Sequence, residues 1–227
     1  RLREAPDGSA LRAELGLAPA DKLVAVFPGS RHKELRRHLP LMRETLSRLA
    51  DADARFALSA APGFGRDALD AIADLPSALS VVEQRSHELL AASDVVLAKS
   101  GTTTLEAALL QKPMVVLYRT NWLTAKLARA FVRAPWFALP NLMAGREIVP
   151  EFFQEEATPA RLAEELRRLL AEPDHAAAMR QDLADLRTTF GQGDASATAA
   201  RAVHRFLEQN GPSAPDASAA DPSGAPP

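Results

Sequence analysis

The chain has 227 residues, 47% of them hydrophobic and 25% charged, with a formal net charge of −2. That composition is ordinary for a globular protein, and the charge gives no general pull toward nucleic acid. Cysteine is absent, which excludes disulfides, thiolate chemistry and Cys-ligated zinc. No apolar run reaches the roughly 18 residues of a membrane-spanning helix. The five histidines show no paired-ligand spacing, so no metal and no cofactor are expected. The chain opens on Arg1 without a signal-peptide core, and the expectation is that an upstream part is missing.

In chain order, Ser9–Leu17 reads as a short helix with Ser9 as its N-cap. Lys22–Gly29 is an apolar run ending in Pro-Gly and reads as a buried strand. Leu35, Leu39, Met42, Leu46 and Leu49 recur at helical spacing and predict an amphipathic helix. Then come strand Ala54–Ala60, helix Phe64–Ala73, strand Ala78–Gln84 and helix Ser86–Ala92. They are followed by strand Asp94–Ser100, helix Thr102–Leu110, strand Lys112–Arg119 and helix Trp122–Val132. Phe137–Pro140 is read as a last strand. Thr158-Pro159 pairs a good N-cap with a proline at the first helical position. Helices over Ala160–Leu170, His175–Phe190 and Ala195–Leu207 complete the pattern.

Strands that alternate with helices, several of them continuous apolar runs, predict an α/β fold with a parallel sheet covered on both faces. Such sheets bind ligands at the carboxyl ends of their strands. Residues 1–209 are expected to form this domain with its C-terminal helices. Residues 210–227 are expected to be disordered, since from Gly211 onward they hold only Gly, Pro, Ser, Ala and Asp.

Three loops at strand ends carry candidate chemistry. In "FPGSRHKEL" (Phe27–Leu35), small residues let backbone N–H groups approach an anion at a helix start. Arg31 adds a planar fork suited to phosphate. The alternative is a plain turn before a solvated basic helix. In "AKSGTTTLE" (Ala98–Glu106), free N–H groups at Thr102 to Thr104 would face the strand end. Glu106, one turn into the helix, is near enough to reach a sugar hydroxyl. The spacing is neither a P-loop nor GxGxxG, and the glutamate alone reads as a carboxylate near a positive helix end. The third loop, "LPNLMAGREIVPEFFQEEATP" (Leu139–Pro159), is polar and irregular, either a specificity loop or a surface crossover. A fourth stretch, Tyr118–Phe137, mixes Trp122 and Trp136 with Arg and Lys. It reads as an anionic-membrane contact or as a core-packed helix with a solvated face.

Together, "PGSRHKEL", "ASDVVLAKSGTTTLEAALLQKPMVVLYR" and "LPNLMAGREIVPEFFQEEATP" resemble the C-terminal half of lipid A disaccharide synthase over roughly Leu11 to Leu207. The resemblance implies a Rossmann-like C-terminal domain of a GT-B glycosyltransferase. It implies an inverting, metal-independent transfer of 2,3-diacylglucosamine from UDP to 2,3-diacylglucosamine 1-phosphate, with this half holding the UDP-sugar donor. Arg31 would bind the diphosphate and stabilise the leaving group beside Ser30. Ser100, Gly101, Thr102 and Thr103 would cradle phosphate, and Glu106 would accept from the ribose. Val82, Glu83 and Gln84 would meet the uracil, and Asn141, Arg146, Gln154 and Glu155 would complete the pocket. The general base and the acceptor domain would lie in the missing N-terminal half. The resemblance also implies a cytoplasmic protein, peripheral on the inner face of the cell membrane, acting on a lipid acceptor. A homodimer through exchange of the C-terminal end is the assembly to test. Lys99 is not placed by this scheme: it either adds charge near the diphosphate or marks a branch with a different donor. The alternatives are a UDP-N-acetylglucosamine 2-epimerase, another UDP-sugar transferase of the same fold, or a non-catalytic binding fragment.

Overall fold

Four largely buried, mostly apolar runs and two edge strands pair as a single parallel sheet. The strands are β1 (Lys22–Phe27), β2 (Ala54–Ala60), β3 (Leu79–Glu83), β4 (Val95–Lys99), β5 (Met114–Tyr118) and β6 (Glu151–Phe153). Their order is β3-β2-β1-β4-β5-β6, and every pairing is parallel. Leu23–Phe27, Val95–Ala98 and Met114–Leu117 are buried without alternation, as strands covered on both faces must be. This computed structural model describes residues 7–60, 79–122, 125–126, 135–189 and 204–205.

The helices are α1 (Ser9–Glu14), α2 (His32–Ser47), α3 (Ser86–Ala92), α4 (Thr102–Leu109), α5 (Leu139–Ala144), α6 (Pro159–Ala171) and α7 (Pro173–Thr189), with a 3₁₀ turn at Gln154–Glu156. From β1 the chain moves outward to β2 and β3, then returns to place β4 on the other side of β1. Right-handed crossovers running in opposite directions put α2 and α4 on opposite faces. Accordingly α6 packs on α2 and against β4 and β5, while α7 packs on α4. This strand order leaves a crevice where the direction of winding reverses, beyond the carboxyl ends of β1 and β4.

Chain contacts divide the molecule into two units, Arg1–Thr189 and Phe190–Pro227. All that follows concerns the first. The expected helix at 64–73 and the expected disordered tail lie outside the described residues. So do most of the expected helices at 122–132 and 195–207. Trp122, Ala125, Lys126, His204 and Arg205 are described and helical.

Two local readings are corrected. Phe137–Pro140 is not a strand: Leu139 and Pro140 open α5, which ends on Gly145 at φ +65. A short apolar run fits either state, and a proline in the first helical turn decides for helix. The strand that does complete the sheet, β6, pairs Val116 with Glu151 and Tyr118 with Phe153. At three residues it is too short to show a period. Ser9 is the first helical residue rather than the cap. Its amide and hydroxyl both donate to Asp7 at 2.8 Å. Thr158 caps α6 as expected, accepting from the Arg161 amide at 3.4 Å.

Candidate functional site

A cleft of about 320 Å³ lies at the point where the winding reverses. Phe27 and Ala98 are register partners at the ends of β1 and β4, so the two loops that follow those strands face each other. From the first come Pro28, Gly29, Ser30, Arg31 and Glu34; from the second, Lys99, Gly101, Thr102 and Thr103. Ser59 at the end of β2 and Ser86 at the start of α3 line a further wall. Their hydroxyls lie 3.1 Å apart.

The first loop requires a glycine. Gly29 sits at φ +108, and a Cβ there would lie 2.6 Å from Glu34 Oε2. Glu34 is in the first turn of α2 and folds back over the loop. It accepts from the Arg31 amide at 3.5 Å, from Arg31 Nη1 at 3.3 Å and from Lys99 Nζ at 3.0 Å. Burial raises the Glu34 carboxyl, but the hydrogen bond and charge of Lys99, together with Arg31, outweigh it and hold it below its usual range. Arg31 is 82% exposed, a guanidinium at the mouth of the cleft with reach to spare. Lys99 and Glu34 are only 14% and 17% exposed.

In the second loop the α4 backbone begins at Thr102, where the first amides of a helix lack intrahelical partners and favour an anion. The Ser100 hydroxyl does not face the cleft but donates to the Phe137 carbonyl at 3.0 Å. Thr104 closes the turn by donating to the Gly101 carbonyl at 2.7 Å. Glu106 lies deeper along α4, with His87 Nδ1 3.9 Å away. Val82 is buried, whereas Glu83 and Gln84 are exposed at the end of β3. Gln84 turns the chain there at φ +55.

The third loop behaves differently. Asn141 is fully buried. Its oxygen accepts from the Ile148 and Val149 amides at 2.8 and 2.9 Å. Its nitrogen donates to the Val149 carbonyl at 2.8 Å and to Glu151 at 3.1 Å. Gln154, at φ +52, pairs both ends of its amide with the Thr120 backbone at 2.7 and 3.2 Å. Arg146 makes a two-pronged bond to Asp182 of α7 at 2.6 and 3.2 Å. Glu155 is exposed on the 3₁₀ turn. None of these four lines the cleft. The structure thus gathers Ser30, Arg31, Gly101, Thr102 and Thr103 around one cavity. It holds Asn141, Arg146 and Gln154 in bonds within the protein.

Sequence reading missed Glu34, Ser59 and Ser86 as cleft residues, and left Lys99 between added charge near the diphosphate and the mark of a different donor; the structure puts Lys99 in the cleft. The one available signal was Glu34 three positions after Arg31, the spacing of a capping box.

Behind the cleft, His38 is 1% exposed and its Nε2 accepts from the Arg119 amide at 3.1 Å. Burial dominates over the backbone of Pro28 and Arg119 and lowers its pKa to about 4. Tyr118, Phe137 and Phe153 cluster beside it with ring centroids 5.6 to 6.4 Å apart. Among the described residues no group of three or more His, Asp or Glu is placed to hold a metal ion. No described helix is long and apolar enough to cross a membrane.

The architecture has solved counterparts among glycosyltransferases. SnogD from Streptomyces nogalater is 25% identical, superposes with a TM-score of 0.59, and matches over 84% of this chain and 45% of its own. The glycosyltransferase VinC, solved in complex with DTDP, is 24% identical with a TM-score of 0.53, over 79% of this chain and 42% of its own. The fold is therefore the Rossmann-like domain of GT-B glycosyltransferases. Within that class, the model of the lipid-A-disaccharide synthetase family matches residues 2–206. The lipid-A-disaccharide synthase of Anaeromyxobacter dehalogenans (strain 2CP-C) is 42% identical over 196 residues, covering 85% of this chain and 51% of the relative. The chain belongs to the lipid-A-disaccharide synthase family, and it spans about half the length of that curated relative.

Proposed function

We propose that this chain is the donor-binding half of a lipid-A-disaccharide synthase-like glycosyltransferase. The carrying observation is the cleft at the ends of β1 and β4, where Arg31, Lys99 and the first turn of α4 meet over two glycine turns. That is an arrangement for a diphosphate. Membership of the family supplies the chemical class of the ligand and sets aside the epimerase alternative.

The full reaction under this reading moves 2,3-diacylglucosamine from UDP to the 6-hydroxyl of 2,3-diacylglucosamine 1-phosphate, with inversion. The acceptor oxygen bonds to the anomeric carbon as the bond from that carbon to the diphosphate oxygen breaks. UDP leaves with the electron pair, and the hydroxyl proton passes to a general base. Negative charge grows on the leaving oxygen, and a metal-independent reaction needs preorganised donors and cations there. Arg31 at the mouth and the α4 amides beneath supply them. Glu34, the carboxylate that lines the cleft, sits among the cations assigned to the diphosphate and not beside an acceptor hydroxyl; under this reading the base belongs to the acceptor half. The protein would act in the cytoplasm, peripheral on the inner face of the membrane where its lipid acceptor lies.

The test is calorimetric titration of the 227-residue chain with UDP, beside Arg31→Ala. Binding is expected, with affinity falling about tenfold in the variant. No binding would favour a non-catalytic module. Binding that the variant leaves unchanged would move the diphosphate away from Arg31.

A further inference from the structure

We propose that Lys99 is a binding residue for the ligand's diphosphate, and that Glu34 holds the position the incoming anion takes over. This deepens the nucleotide-sugar reading above and rests on it.

The geometry carries the inference. Lys99 ends β4 and points along the cleft floor, its side chain 14% exposed. Its ammonium lies 3.0 Å from Glu34 Oε1 and 5.7 Å from the centroid of the Tyr118 ring. It rests on the second loop so closely that a Cβ on Gly101 would lie 3.4 Å from Nζ. Across the cleft, Glu34 rests on the first loop more closely still, 2.6 Å from where a Gly29 Cβ would be. The ion pair therefore fills the gap between the two glycine turns, at the ends of neighbouring strands.

Three donors converge on the Glu34 carboxylate: the Arg31 amide, Arg31 Nη1 and Lys99 Nζ. A backbone amide, a guanidinium and an ammonium aimed at one oxyanion form a phosphate cradle, here closed by the protein's own carboxylate. Capping α2 does not explain the lysine, because a glutamate in that turn needs only the amide of the cap residue. Setting an ammonium into a largely desolvated floor is costly without a charged partner. A diphosphate carries more negative charge than one carboxylate and competes for both cations in the same cleft. On binding, Lys99 and Arg31 pass from Glu34 to the ligand, and Glu34 turns outward.

The experiment measures UDP binding by calorimetry and uridine binding by ligand-observed NMR, at one fixed salt concentration. It uses the full chain and its Lys99→Met, Lys99→Arg and Glu34→Gln variants. Lys99→Met should weaken UDP about tenfold and leave uridine within about twofold, since only the diphosphate meets the ammonium. Lys99→Arg should keep most of the affinity. Glu34→Gln should tighten UDP severalfold, because the competing charge is gone while the side-chain shape remains. A wild-type chain that does not bind UDP sinks the nucleotide-sugar reading itself. Wild-type binding that Lys99→Met leaves unchanged, or a loss shared equally by uridine, sinks the role of Lys99 alone. Weaker UDP binding by Glu34→Gln overturns the handover. Should Lys99→Met not fold, Lys99→Arg and Glu34→Gln still decide between these outcomes.

Discussion

The two glycine turns beyond β1 and β4 and the loop from Leu139 to Pro159 are all polar and all sit near the carboxyl edge of the sheet, yet they are built for opposite ends. The turns expose backbone amides and cations to a cleft, with Gly29 and Gly101 clearing space for charge. The longer loop turns Asn141 and Gln154 inward. Asn141 alone makes four hydrogen bonds that join α5 to the segment leading into β6. Polarity in a loop is thus no guide to function by itself. What separates binding from scaffolding is where the partners lie. Asn141 is bonded to backbone in a fully buried site, whereas Lys99 and Arg31 hold a side-chain carboxylate that lines the cleft and that an incoming anion can displace.

The largest expected effect tests the scaffold side. Asn141→Ala removes four bonds from a fully buried site, leaving the Ile148 and Val149 amides without their acceptor. Glu151, whose carboxyl is pushed up by burial despite donors from Ala138, Phe137 and Asn141, loses one of them. Unfolding free energy in urea should fall by about 3–5 kcal/mol, with UDP affinity of the folded fraction unchanged. Undiminished stability together with lost affinity would place Asn141 in the ligand site and break the comparison.

His38 joins the two regions, and pH reads the joint. On α2, it receives the Arg119 amide, while the Arg119 side chain reaches the Gln154 and Ala157 carbonyls at 3.2 and 2.7 Å. Its pKa is about 4 in the folded chain against 6.5 for a free histidine. Between those values the unfolded chain binds the extra proton, so stability falls as pH falls from 6.5 to 4. The full difference is of order 3 kcal/mol. His38→Gln can still accept from the Arg119 amide and should lose this part of the slope. Urea melts at pH 7 and 5 on both proteins measure it; parallel slopes would mean His38 is not buried as a neutral acceptor.

Gly29→Ala probes the binding side. The φ of +108 and the 2.6 Å approach to Glu34 oppose any side chain, and the expected cost is about 2 kcal/mol. Because the clash pushes on Glu34, UDP binding should change more than the melting temperature does. A loss of stability with unaltered binding would show that the first turn serves folding only.

How far these regions were readable in the sequence follows from the same distinction. Continuous apolar runs set between helical segments announced the parallel sheet, because strands such as Leu23–Phe27 are buried on both faces. Gly, Ser and Thr between a strand and a helix announced the two turns, since few other residues allow close backbone approach to an anion. Spacing could tie Glu34 to Arg31 but not to Lys99: Lys99 ends β4 and Glu34 lies in the first turn of α2, and they meet only because β4 inserts beside β1. Asn141 and Gln154 were expected at the pocket from the family resemblance; the sequence shows their polar side chains but not the partners the structure gives them within the chain. Phe137–Pro140 was read as a strand because four residues give no period, and Pro140 proved the better signal.

The smallest expected effect concerns another residue of the longer loop. Arg146 fits the family's third motif and was expected at the donor pocket, but its guanidinium is bonded to Asp182 on α7. Both side chains are partly exposed, and such surface pairs contribute little to stability. Arg146→Ala should therefore leave the melting temperature nearly unchanged and shift UDP affinity of this chain by less than about twofold. Asp182→Ala frees the same guanidinium without removing it, and it should be equally silent. If Arg146→Ala weakens UDP about tenfold while Asp182→Ala strengthens it, the Asp182 pair is a resting contact that the ligand displaces. The longer loop would then bind by the same exchange inferred for Lys99, and the line between scaffold and cradle would run through single residues instead of between loops.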